Sequence, residues 1–148
     1  SLTHGVLPDE VSSPSRDAER KMLGETIARL RTEGFVDSNI CLVLRTNEEV
    51  DEYADWLKAS GETVRRLDRT TADDQDKPGI RVATMHRVKG LEFDAVIIAG
   101  YKSPEYYAQK FADDGDSGVM VDQLTSERCL LHVAATRAKR CLVVSGVG

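Results

Sequence analysis

ICLVLRTNEEVDEYADWLKASG, residues 40–61, carries two hydrophobic periods back to back. Ile40–Leu44 is an unbroken apolar run, too short for a stable helix and suited to a strand covered on both faces. From Thr46 the period changes. Val50, Tyr53, Ala54 and Leu57 recur at i, i+3, i+4 and i+7, the stripe of an amphipathic helix. Thr46 and Glu49 stand in capping-box spacing at its start, and Gly61 is a natural stop. A doubly covered strand feeding a one-sided helix is half of a parallel α/β unit, because parallel strands need a crossover element between them.

The same reading extends outward. Upstream, Ser13 before Pro14 predicts an N-cap with proline at the first helical position, and a charged helix from there to Gly34 burying Met22, Leu23, Ile27 and Leu30. Downstream, 63–67 reads as a weaker strand, 68–79 as a polar acidic connection, and Ile80–Thr84 and 95–99 as further buried strands. Residues 101–121 show no period and read as irregular, with Asp113, Asp114 and Asp116 an acidic surface loop. A last helix is expected over about 122–138, ahead of a strand at 141–145. The alternation predicts an α/β fold with a mainly parallel sheet flanked by helices. Residues 14–148 would form this domain, with 1–13 an N-terminal segment outside it.

At 148 residues the chain is about one domain long and can bury a core without staples. Cys41, Cys129 and Cys141 lack CxxC spacing, which argues against a disulfide framework or a zinc ribbon; they are expected as buried thiols in a reducing, cytoplasmic setting. No apolar run approaches the ~18–20 residues of a membrane span, so no membrane partner is expected. Net charge is −5, and the acidic excess lies early: 11 basic against 17 acidic side chains through residue 78, then 9 against 8. A polyanion is therefore expected to meet the C-terminal half. The chain begins at Ser1 without a methionine and is expected to be a piece of a longer protein.

In open parallel sheets ligands gather beyond the carboxyl ends of strands. Arg45 follows the first buried strand, and Thr84 and His86 close the third; a solvent-exposed turn arginine is the bland alternative for Arg45. On a helical wheel of the last helix, Glu127 and Arg137 both project into the apolar arc. About 15 Å separates them along such a helix, so each needs another partner. A phosphate suits Arg137's planar fork; snorkelling from a frayed helix end is the alternative. Lys89-Gly90-Leu91-Glu92 puts a glycine where backbone can approach a ligand, followed by a carboxylate able to accept from a ribose hydroxyl; taken alone, the string reads first as a turn glycine beside a surface ion pair. There is no GxxxxGK[ST] phosphate loop, and His4, His86 and His132 form no metal-ligand pattern.

Two long strings carry a resemblance. IRVATMHRVKGLEFDAVIIAG (80–100) resembles motif V of UvrD-like superfamily-one DNA helicases, and ERCLLHVAATRAKRCLVVS (127–145) resembles their motif VI. LVLRTNEEVDEYADWLKASG (42–61) is similar to motif IV in its upstream position. The resemblance covers roughly 14–146. It implies a RecA-like domain without its own P-loop, the C-terminal motor domain of an ATP-dependent helicase or translocase. ATP and Mg2+ would be shared with an N-terminal RecA-like domain of the full-length chain, which holds the metal ligands, and the nucleic-acid partner would be single-stranded or partly duplex DNA. By the same resemblance Arg45 and Arg137 are expected at the γ-phosphate, Glu92 at the ribose, Gly90 near the phosphates, and Thr84 and His86 at the DNA. The motor of a helicase-nuclease and a non-catalytic adaptor are the other functions compatible with these motifs. Leu44 and His132 stand where the family usually has tyrosines, and the segment after motif V lacks its usual Gly-x-Phe-Pro. Tyr106, Tyr107 and Phe111 in that segment are expected either to stack on bases or to pack locally.

Overall fold

β2 (Ile40–Leu44) is buried along its whole length, as a run with no polar face requires. In this computed structural model it lies third from one side and fourth from the other in a six-stranded sheet of order β1-β6-β5-β2-β4-β3, in which every pairing is parallel. The other strands are β1 (Pro8–Ser13), β3 (Val64–Arg66), β4 (Ile80–Thr84), β5 (Phe93–Ile98) and β6 (Ala138–Val147). The helices are α1 (Arg16–Thr32), α2 (Asn47–Ala59), α3 (Pro104–Lys110) and α4 (Ser117–Ala135). The structure describes residues 6–68, 74–112 and 117–147, with 117–120 as backbone only. His4, part of the 68–79 connection and the acidic trio Asp113, Asp114 and Asp116 lie outside the described residues.

Strand side chains alternate between two cores, as the period of two dictates. Ile40, Leu42 and Leu44 join Leu23, Ile27 and Leu30 of α1 and Val50, Tyr53 and Leu57 of α2 on one face. Cys41 and Val43 join Tyr107 of α3, Ala134 of α4 and the buried Met85 and Val88 on the other. The result is three layers with the sheet in the middle, the RecA-like arrangement that the motifs imply. α2 begins where its capping box predicts: Thr46 Oγ1 accepts from the Glu49 N–H at 3.2 Å.

The structure departs from the sequence reading at several local points. Ser13 does not cap α1. It is the last residue of β1, 5% exposed and opposite Val147 across the ladder. Pro14 holds the residue before it extended, so the cap moves to Ser15, whose hydroxyl accepts from the Ala18 N–H at 3.1 Å. Residues 8–13, set apart by the sequence as an outside segment, thus form an edge strand of the sheet. Within 101–121, Ser103 caps and Pro104 opens the short helix α3. β5 starts at Phe93 rather than 95, and α4 ends at Ala135 rather than 138, because β6 begins at Ala138. Of the three thiols only Cys41 is buried; Cys129 is exposed.

One carboxylate ties α1 into the sheet. Glu19 is fully buried; Oε1 accepts from the Tyr53 hydroxyl at 2.5 Å, and Oε2 from the Gly100 N–H and the Ser145 hydroxyl, both at 2.7 Å. Three donors on a buried carboxylate satisfy the charge that burial would otherwise penalise. Gly100 has φ +61, and a Cβ there would stand 2.7 Å from the Tyr53 hydroxyl, so this junction accepts only glycine without rearrangement.

Candidate functional site

Because all strands run one way, the sheet has a carboxyl edge and an amino edge, and the candidate residues divide between them. At the amino edge, Arg137 lies in the turn between α4 and β6, and its carbonyl accepts from the Phe93 N–H at 2.9 Å at the start of β5. It therefore stands two residues beyond the helix rather than on the apolar arc that the wheel gave it. Its side chain folds back over the helix end: Nε donates to the Val133 carbonyl at 3.1 Å and Nη2 to the Thr136 hydroxyl at 3.2 Å. A cation is favoured there by the helix dipole. Nη1 reaches the Leu91 carbonyl at 3.4 Å, which puts Arg137 beside Gly90 and Glu92. Among the described residues no carboxylate pairs with Arg137.

The chain from β4 to β5 must pass from the carboxyl edge to the amino edge beneath β2, and its apolar spacing makes this possible. Met85 and Val88 are buried three residues apart and pin the crossing to the sheet, leaving His86, Lys89, Gly90 and Glu92 exposed. The Thr84 hydroxyl accepts from the Arg87 N–H at 3.1 Å and caps the first turn. Gly90 adopts φ +86 with open space on its Cβ side, so the backbone there is bare to a ligand.

At the carboxyl edge, Arg45 shares an open cleft with Thr46, Thr84, His86, Arg87 and Phe111. It is not bare. Nε and Nη2 donate to the two oxygens of Glu127 at 2.8 and 2.5 Å, a fork-to-fork pair with side chains 10% and 3% exposed. This hydrogen-bonded carboxylate is the main reason that the Arg45 guanidinium is held even more firmly charged than usual. Its Cζ lies 4.7 Å from the Phe111 ring centroid and 5.6 Å from that of Tyr107. Partial desolvation in the cleft, followed by the nearby Arg45 cation, pushes the His86 pKa down.

The structure brings Gly90, Glu92 and Arg137 together, and separately Arg45, Thr84 and His86. It does not bring the two arginines together: β2 lies between their edges, and five residues of strand span about 17 Å. Within this domain Arg45 and Arg137 thus stand at opposite edges of the sheet. Glu127, flagged by its place on the apolar arc, has Arg45 as its partner, 82 positions away in sequence. Phe111, against Arg45, was visible in sequence only as one aromatic in an aperiodic stretch. Tyr107 is 2% exposed and packs locally, whereas Tyr106 and Phe111 keep 44% and 36% of their surface open. Among the described residues no cluster of three or more His, Cys, Asp or Glu is placed to hold a metal ion.

The family model for the UvrD-like helicase C-terminal domain matches residues 62–147, from β3 through β6. This chain belongs to that family. The UvrD-like domain is 29% identical over 108 residues to DNA helicase II of Rickettsia typhi, covering 72% of this chain and 15% of that protein. It is 28% identical over 144 residues to F-box DNA helicase protein 1 of Schizosaccharomyces pombe, again spanning 15% of the relative. Among solved structures it is similar to the C-terminal domain of a possible DNA helicase from Lactobacillus plantarum WCFS1. That likeness has TM-score 0.70 and 25% identity, and covers 99% of this chain and 77% of the other. The UvrD-like domain thus corresponds to a small share of the helicases it matches, and among its described residues no helix is long and apolar enough to cross a membrane.

Proposed function

We propose that this UvrD-like domain is the C-terminal motor domain of an ATP-dependent DNA helicase or translocase, using its amino edge for nucleotide and its carboxyl edge for single-stranded DNA. The observation that carries the reading is the clustering of Arg137, Gly90 and Glu92 at one edge, apart from Arg45, Thr84 and His86 at the other. ATP, when bound, supplies the free energy of hydrolysis. The amino-edge residues suit the outer side of such a nucleotide: Arg137 donates to phosphate oxygens, bare backbone at Gly90 allows close approach, and Glu92 accepts from a sugar hydroxyl. Phosphate cradle and metal ligands belong, in this reading, to an N-terminal RecA-like domain. At the carboxyl edge Arg45 and His86 face a phosphate backbone, with Thr84 shaping the turn between them.

The test is Arg137→Ala in the intact protein. Loss of one preorganised donor to developing charge lowers turnover by about 10²–10³, so kcat should fall by that order while DNA affinity stays near wild type. Wild-type kcat in this variant would remove Arg137 from the nucleotide site.

A further inference from the structure

The cleft at the carboxyl edge contains a feature that its proposed use does not require: the arginine facing it is already neutralised. Arg45 and Glu127 together carry no net charge, so the pair adds nothing to long-range attraction of a polyanion. Nor does a buried ion pair by itself argue for stability, since desolvation offsets much of its attraction. What the pair does fix is direction. Glu127 takes Nε and Nη2 of the guanidinium, and Phe111 lies 4.7 Å from Cζ. Nη1 has no hydrogen-bond partner among the described residues, and Arg45 lines the cleft together with Thr84 and His86.

We propose that Glu127 is a positioning residue for DNA engagement: it clamps Arg45 so that Nη1 is presented to the cleft as an oriented donor to a backbone phosphate. This rests on the reading that the carboxyl-edge cleft takes DNA. Glu127 itself touches no ligand. Its place on α4 is informative, because the 3% exposed carboxylate sits in the helix's apolar arc and finds no donor from its own helix.

Glu127→Gln separates this role from the alternatives, because they predict opposite signs. Removing a negative charge beside a phosphate site should tighten DNA binding if Arg45 acts only through diffuse electrostatics. If Glu127 orients Arg45, the same change should weaken binding on the order of ten-fold, the worth of one charge-assisted hydrogen bond. A purely structural role would lower the melting temperature and leave affinity unchanged. The measurement is the affinity of the intact protein for a labelled oligothymidylate, by fluorescence anisotropy at fixed salt, with the ATP KM and a thermal melt as controls. Expected are weaker DNA binding, an unchanged ATP KM, and no further loss when Glu127→Gln is added to Arg45→Ala. Unchanged or tighter binding by Glu127→Gln, where Arg45→Ala weakens it, overturns the positioning role alone. Unchanged binding by Arg45→Ala overturns the cleft reading itself. Should Glu127→Gln fail to fold, Arg45→Lys decides: it keeps the charge and loses the fork, so wild-type affinity in that variant would overturn the proposal.

Discussion

Arg45 and Arg137 look alike in the sequence, each following a hydrophobic element, yet the parallel sheet assigns them to different edges. Their substitutions should then be independent. Combining Arg45→Ala with Arg137→Ala is expected to multiply the separate effects on kcat/KM to within about two-fold, because sites this far apart with no shared partner add in free energy. A double variant no worse than the more damaging single would instead place both on one group. His86 offers a pH test. Its pKa lies below the ordinary 6.5, through partial desolvation in the cleft and then the Arg45 cation. Protonation as the pH falls below that range adds a charge to the cleft. DNA affinity should rise there in the wild type and stay flatter in His86→Ala. Stability moves the other way. The unfolded chain binds this proton more readily, so folding loses ground as the pH falls from 6.5 through the lowered value and is unaffected above it.

Elements were legible where a single period ran long enough to exclude the other. β2, β4 and α2 have the bounds or caps that their patterns imply, because a run buried on both faces and a stripe at 3.6 residues cannot be exchanged. β1 was not legible. PDEVSS is polar and opens with proline, features of an edge strand that is held by its neighbour and not by its own hydrophobicity. The site was half legible for a related reason. The residue types at Gly90, Glu92 and Arg137 suit the proposed nucleotide edge, and the wheel marked Glu127 as a charge among apolar residues, but pairing between Glu127 and Arg45 depends on where α4 lands against the β2 turn. No local pattern encodes that landing. The displaced cap on α1 gives a direct check: Ser15→Ala should cost about 1 kcal/mol of stability by denaturant melt, the usual worth of an N-cap.

For the whole molecule, the expected partition of the ATP site has a simple consequence: the isolated domain should show no DNA-stimulated ATPase. It has neither phosphate loop nor, among described residues, a metal-ligand cluster, and half a site offers too few contacts to offset the cost of association. Calorimetry should accordingly find no sub-micromolar ATP binding by the isolated domain. Robust turnover by pure isolated domain would contradict the partition.

The pairing of β1 with β6 reaches beyond the finished fold. Pro8 lies opposite Leu142, and β6 separates β1 from β5. On the ribosome, β1 emerges among the first segments of this domain, yet the strand it pairs with emerges among the last. Until β6 is made, β1 has no seat and β5 keeps an open edge able to recruit a strand from another chain. Ser145, which completes the hydrogen bonds of Glu19, arrives with the same late strand. A pause in translation before Ala138 would therefore prolong a state with an unclosed sheet and a loosely held first helix, which makes the pace of synthesis through the 117–137 region a determinant of yield.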